Sequence, residues 1–196
     1  MPATSKKPNA GATGWSVRLQ ARESLRKAAE LAAPVLDRLT PTQIAQIERR
    51  LAEENRQFYR DHLRGTERER RRKRATALVN RLEDWVGLTP AQVQRVRDYA
   101  DHAPIADELR DRDRKRLQND VLAILRAREA QKRLPERLAH WERGRDPAYV
   151  TAIEAWREHY FNLMLDLDGM LTAEQRARAQ SQLRRYAEDF EALAAR

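Results

Sequence analysis

Apolar residues recur along this chain every three to four positions rather than every second one, which is the spacing of one face of an α-helix. The stripe Leu25, Ala28, Ala29, Ala32, Val35 and Leu36 predicts a helix over residues 16–38, with Pro34 as a kink or restart. Ile44, Ile47, Leu51 and Phe58 predict a second helix from just after Thr40 to about His62. Gly65-Thr66 then interrupts and a very basic turn follows over 68–74. The next stripe is Ala75, Leu78, Val79, Leu82, Trp85 and Val86, closed by Gly87. Val93, Val96, Ala100 and Ala103 mark a short helix that stops before Pro104. A long helix carries Ile105, Leu109, Leu117, Val121, Ile124 and Leu125, and its middle, RDRDRKR, is expected to be solvated. Leu134, Leu138 and Trp141 form a short segment. Two further stripes follow: Tyr149, Ile153, Trp156, Tyr160, Met164 and Leu167, then Leu183, Tyr186, Phe190 and Leu193. No hairpin pattern occurs. The expected fold is therefore all-α, an elongated antiparallel helical bundle with sharp, capped corners. Residues 1–15 read as a disordered tail and 16–196 as a single helical domain.

Three helix starts share one pattern, Leu-Thr-x-x-Gln. The copies are Leu39, Thr40 and Gln43; Leu88, Thr89 and Gln92; and Leu171, Thr172 and Gln175. The spacing is that of a capping box. The threonine hydroxyl accepts from the backbone N–H three residues on, and the glutamine there reaches back to the threonine N–H. Pro41 and Pro90 occupy the first helical position, where a missing N–H costs nothing. The preceding leucine staples onto Ile44 in the first copy and Val93 in the second, whereas the third has Arg176 there. These residues are read as corner-builders rather than reactive groups.

Composition narrows the function classes. The chain holds 39 Lys and Arg against 30 Asp and Glu, a net charge of +9, and most of the cations are arginine. Arginine favours forked recognition of carboxylate or phosphate, although a GC-rich codon bias produces the same excess. No cysteine is present, which excludes disulfides, thiol nucleophiles and thiolate zinc sites. The start, MPATSKKP, lacks the apolar core of a signal peptide, and no apolar run is long enough to span a membrane. Read alone, the chain would stay in the cytoplasm.

The repeated corners in a basic helical chain resemble the periplasmic LTxxQ-motif proteins of the Spy/CpxP class. A longer likeness runs through LTPTQIAQIERRLAEENRQFYRDHL (39–63), RLEDWVGLTPAQ (81–92) and DRDRKRLQNDVLAILR (111–126). Those stretches, within roughly 25–138, are similar to an uncharacterised family of proteobacterial lipoproteins. The resemblance implies a periplasmic protein, lipid-anchored in its full-length form. It carries no established activity. Such lipoproteins begin with a signal peptide, a lipid-bearing cysteine and a further helical segment, so this chain resembles their later part.

Candidate chemistry is sparse. Asp98 with His102, and Glu136 with His140, have a spacing at which two ligands could share a metal, but His62, His102, His140 and His159 form no two-histidine pair of that kind. Asp166-Leu167-Asp168-Gly169 resembles a fragment of a calcium loop without the later acidic positions. No catalytic, cofactor or metal site is expected. Asn55 falls near an apolar face, where a buried amide sets register between helices. The run Arg64, Arg68, Arg70, Arg71, Arg72, Lys73 and Arg74 is the candidate surface for an anionic partner: lipid headgroups, lipopolysaccharide or nucleic acid. Phe58, Tyr59, Trp141 and Trp156 are candidate apolar contacts wherever they are exposed. The expected function is a non-enzymatic, chaperone-like helical binding protein of the bacterial envelope, with protein clients or anionic envelope components as partners. The alternatives are a cytoplasmic nucleic-acid-binding protein and a helical scaffold.

Overall fold

The computed structural model describes the backbone of residues 10–194, with side-chain surroundings from 19 to 193. Residues 1–9 of the expected tail lie outside it. The described chain forms an all-α helical bundle of eight helices: α1 (Ala10–Leu36), α2 (Pro41–Phe58), α3 (Glu67–Val86), α4 (Pro90–His102), α5 (Asp107–Ala127), α6 (Ala130–Ala139), α7 (Pro147–Met170) and α8 (Ala173–Ala194). A π-helical turn, Tyr59–Leu63, follows α2. Among the described residues no strand occurs, and no helix is long and apolar enough to cross a membrane. The first helix begins at Ala10, six residues before the expected start, and continues through Pro34. Residues 68–74, expected as a turn, are the first turns of α3. Contacts divide the chain into two compact units, Met1–Gln57 with Arg110–Asp146, and Phe58–Leu109 with Pro147–Arg196.

The first unit packs α1 on α6. Its core is Ala29, Ala33, Ile44, Leu122, Ile124, Leu125, Ala130 and Leu134. The alanines let the two helix backbones approach closely, since interaxial distance follows the side chains at the contact. That contact keeps Ala29 and Leu36 of the expected stripe and adds Ala33 to it. Ala29 and Ala33 are buried, while Ala28, Ala32 and Val35 are exposed. Asn55 Nδ2 donates to Gln118 Oε1 at 2.8 Å, tying α2 to α5. The middle of α5 is less solvated than its sequence suggests. Asp111 is buried, and Asp113 accepts from both Arg116 and Arg145. Arg116 also donates to the carbonyls of Trp141 and Arg143.

One carboxylate closes this unit at long range. Asp37, just past the end of α1, accepts from the backbone N–H of Ala130 at 2.6 Å and of Gln131 at 3.1 Å. The amide of Gln131 adds a third bond at 3.2 Å. These N–H groups at the start of α6 have no partner inside their own helix. The Gln131 N–H, then that of Ala130, hold the Asp37 carboxyl below its ordinary range against the opposing effect of burial. A carboxyl depressed in the fold adds stability above its unfolded value, near 3.9, and loses it as pH falls through the lower folded value. The melting temperature should therefore drop as pH falls below about 4. Asp37→Asn should start lower at neutral pH and show a flatter acid limb. An acid limb identical to that of the unchanged protein would reject the role given to Asp37.

The second unit holds α3, α4, α7 and α8. Its core is Ala75, Val96, Tyr99, Ala100, Ala103, Leu163 and Leu167. Leu183, Phe190 and Leu193, expected as the packed stripe of α8, are exposed, as are Phe161 and Leu165 of α7. Tyr186 is also exposed but stacks on Trp85, with ring centroids 5.6 Å apart.

Candidate functional site

Each Leu-Thr-x-x-Gln corner forms a capping box. Thr40 N–H donates to Gln43 Oε1 at 2.8 Å, Thr89 N–H to Gln92 Oε1 at 2.8 Å, and Thr172 N–H to Gln175 Oε1 at 3.0 Å. The return bonds, from each glutamine N–H to its threonine hydroxyl, measure 3.2–3.3 Å. A fourth box carries glutamate: Thr66 N–H donates to Glu69 Oε2 at 2.7 Å, and Glu69 N–H returns to Thr66 Oγ1. Its Thr-x-x-Glu signature is plain in the sequence, but no leucine precedes it.

The second and third boxes are mated. Gln92 Nε2 donates to Gln175 Oε1 at 3.0 Å and Gln175 Nε2 to Gln92 Oε1 at 2.9 Å. Each Nε2 also donates to the carbonyl two residues before the other box's threonine: Gln92 to Met170 O at 3.0 Å, Gln175 to Gly87 O. The two motifs thus exchange equivalent bonds about a local twofold. Gly87 is needed at this junction. It caps α3 with φ +67°, and a Cβ there would stand 2.8 Å from the Arg178 guanidinium. Gln92 and Gln175 are both buried, whereas Thr40 and Gln43 are exposed.

The basic run divides in two. Arg70 pairs with Glu108 at 2.5 Å and Arg74 with Asp107. Arg71 donates to the carbonyls of Ala100 at 3.1 Å and Ala103 at 2.7 Å, and pairs with Glu67. These three arginines close the corner between α4 and the start of α5. They satisfy carbonyls at the end of α4, and Asp107 and Glu108 suit the positive first turn of α5. Arg64, Arg68, Arg72 and Lys73 are exposed.

Beside that corner lies a groove of about 370 Å³, lined by Arg74, Leu78, Arg81, Tyr99, Trp156 and Tyr160, with Ala77, Ala100 and Ala103 completing its walls. Trp156 stacks on Tyr160 at 5.3 Å, and Tyr99 meets Tyr160 edge-on at 6.3 Å. The Tyr99 hydroxyl is buried without a hydrogen-bond partner. Burial first, then Tyr160, pushes its phenol pKa up while Arg74 opposes, so it stays neutral at physiological pH. Arg81 is exposed at the rim and, among the described residues, has no ion-pair partner. An apolar floor with a cation at its edge suits an apolar or aromatic group attached to an anion. The sequence placed Trp156 and Tyr160 on one stripe but held no signal that the stripe would stop short of filling the space against α3.

The remaining candidates are spread apart. Phe58 is buried against the His62 ring and Tyr59 is exposed, whereas Trp141 is half-buried in the turn after α6. His102 Nδ1 meets the carbonyl of Asp98 at 2.7 Å rather than its carboxylate. His140 faces Glu136, which also accepts from Arg143. Asp166 accepts from Arg95, and Asp168 from Arg176. The two carboxylates of the calcium-like fragment are thus each engaged by an arginine.

Neither a curated protein nor a solved structure matches the chain. A family model does match, over residues 15–149, which take in most of the first unit and the 58–109 part of the second but stop before Trp156, Tyr160 and the third corner. The chain therefore belongs to DUF6279, a family of unknown function.

Proposed function

We propose that this chain is a non-enzymatic binding protein of the bacterial envelope that takes hold of apolar segments carrying acidic groups, in the manner of a chaperone. The observation that supports it is the open groove of Trp156, Tyr160, Tyr99 and Leu78 with the exposed Arg81 at its rim. Exposed Phe161, Leu165, Leu183, Phe190 and Leu193 in the same unit add apolar surface of the kind that marks interaction sites. An apolar side chain gains from leaving water in such a groove, and an adjacent carboxylate gains a forked guanidinium. The periplasmic placement rests on the resemblance of the corners and of the 39–63, 81–92 and 111–126 stretches.

The test uses a fluorescent peptide with a Phe-Leu core between acidic residues, and the same core between lysines. The acidic peptide should bind at least tenfold more tightly. Two variants at exposed positions, Ala77→Phe to fill the groove and Arg81→Glu to reverse its rim, should each weaken binding about tenfold, equivalent to about 1.4 kcal/mol, with helicity unchanged. Equal binding by all forms, together with no effect of equimolar protein on aggregation of a model client, would end the reading. Recovery of the native gene product in the cytoplasmic fraction would end its envelope placement.

A further inference from the structure

A capping box uses only the oxygen of its glutamine side chain. Thr66 with Glu69 shows this within the same chain, since glutamate closes that box with no amide nitrogen at all. A carboxylate is also favoured over an amide at a helix N-terminus. The nitrogen of the glutamine is therefore surplus to the cap. In the second and third corners that nitrogen crosses to the other corner, where it donates to the opposite glutamine and to the carbonyl two residues before the opposite threonine.

The first corner carries the same groups with no mate. Leu39-Thr40-Pro41 repeats Leu88-Thr89-Pro90, and its box is closed by Gln43 rather than glutamate. Gln43 is exposed and its Nε2 makes no hydrogen bond among the described residues. The last turns of α1, which lead into this corner, expose Leu31 and Val35 to 83% and 67%. Their i, i+4 spacing puts them on one face. No other strongly apolar side chain of the first unit, among the described residues beyond Leu19, stands so far out of its core.

We propose that the first corner is a self-association surface, where Gln43 mates with Gln43 of a second copy of this chain as Gln92 mates with Gln175. One motif supplies both halves of a twofold contact, so an identical chain is the partner that fits without any further sequence requirement. Each Gln43 would donate to the other's Oε1 and to the other chain's Arg38 carbonyl, the counterpart of Gly87 O and Met170 O. Neutral hydrogen bonds exchanged with water contribute little individually, so burial of Leu31 and Val35 supplies most of the attraction. The dimer is accordingly weak and reversible, forming at tens to hundreds of micromolar by order of magnitude.

The test is sedimentation of the full chain from about 5 to 500 µM, a range bracketing that estimate. The unchanged protein should shift from monomer to dimer. Gln43→Glu keeps the box, as Glu69 does, but removes the donor and sets two carboxylates face to face, so it should stay monomeric with unchanged helicity. Because the chain has no cysteine, Thr42→Cys adds a single thiol beside the corner, and Ala52→Cys one further along α2. A short bis-maleimide should link Thr42→Cys into dimers at least tenfold faster than Ala52→Cys. A monomer throughout the range, a dimer that survives Gln43→Glu, or equal linking at the two positions would each overturn the proposal.

Discussion

Gln92→Leu should destabilise the protein by about 3 kcal/mol, because it leaves two polar groups of a half-buried junction unpaired, at about 1–3 kcal/mol each, and weakens the bonding of the buried Gln175. Gln92 is only 1% exposed. Its removal strips the partner from the Thr89 N–H and the Met170 carbonyl, and takes one bond from each amide atom of Gln175. Leucine has similar volume, so a cavity is not the cause. Gln92→Glu separates the cap from the cross-link. The glutamate still accepts from Thr89, but it faces the Met170 carbonyl and Gln175 Oε1 with no proton to give once ionised. Its pKa should be raised in the fold, so stability is kept below the unfolded value near 4.3 and lost as pH rises. Urea unfolding at about pH 4 and 7.5, below the unfolded value and well above it, should show Gln92→Glu close to the unchanged protein at the lower value and well below it at the higher. In the double variant with Gln175→Leu the two losses should fall short of their sum, because both remove one shared contact. Strict additivity, or a loss under about 0.5 kcal/mol for Gln92→Leu, the size of an ordinary surface change, would show that the paired glutamines do not hold the two corners together.

Leu163→Ala should cost about 3–4 kcal/mol, within the range for emptying a leucine site in a packed core. Leu163 is fully buried among Val96, Tyr99, Ala100 and Leu167. Leu165, two residues on and 54% exposed, is the internal control. Leu165→Ala should change stability by no more than about 0.5 kcal/mol. Both substitutions delete the same atoms from α7, so chemical denaturation compares position alone. A larger loss at Leu165 than at Leu163 would mean that α7 faces its core the other way round.

Much of this architecture is written in short-range patterns. The corners at Thr40, Thr89 and Thr172 are legible because a capping box is closed between residues three apart. The same holds for Thr66, whose box is closed by a glutamate three residues on and has no leucine before it. The apolar period located all eight helices, though the start of α1 and the status of 68–74 came out differently, because end positions depend on caps rather than on the stripe. The charged surface was less readable. Arg70, Arg71 and Arg74 look like their neighbours Arg68 and Arg72, and only Asp107, Glu108 and the carbonyls of α4 set them apart.

Fold class and helix corners follow from the order of residues alone, since both arise from interactions within one or two helical turns. Tertiary structure alone decided which face of α1 is buried, because Ala29 and Ala33 rather than Ala28 and Ala32 meet α6. It alone mated Gln92 with Gln175 across 83 positions, left Gln43 without a mate, and opened the groove at Trp156. Those outcomes depend on which distant surfaces come together. A pattern of neighbours can declare that a side chain wants a partner, but the partner is chosen by where the helices pack.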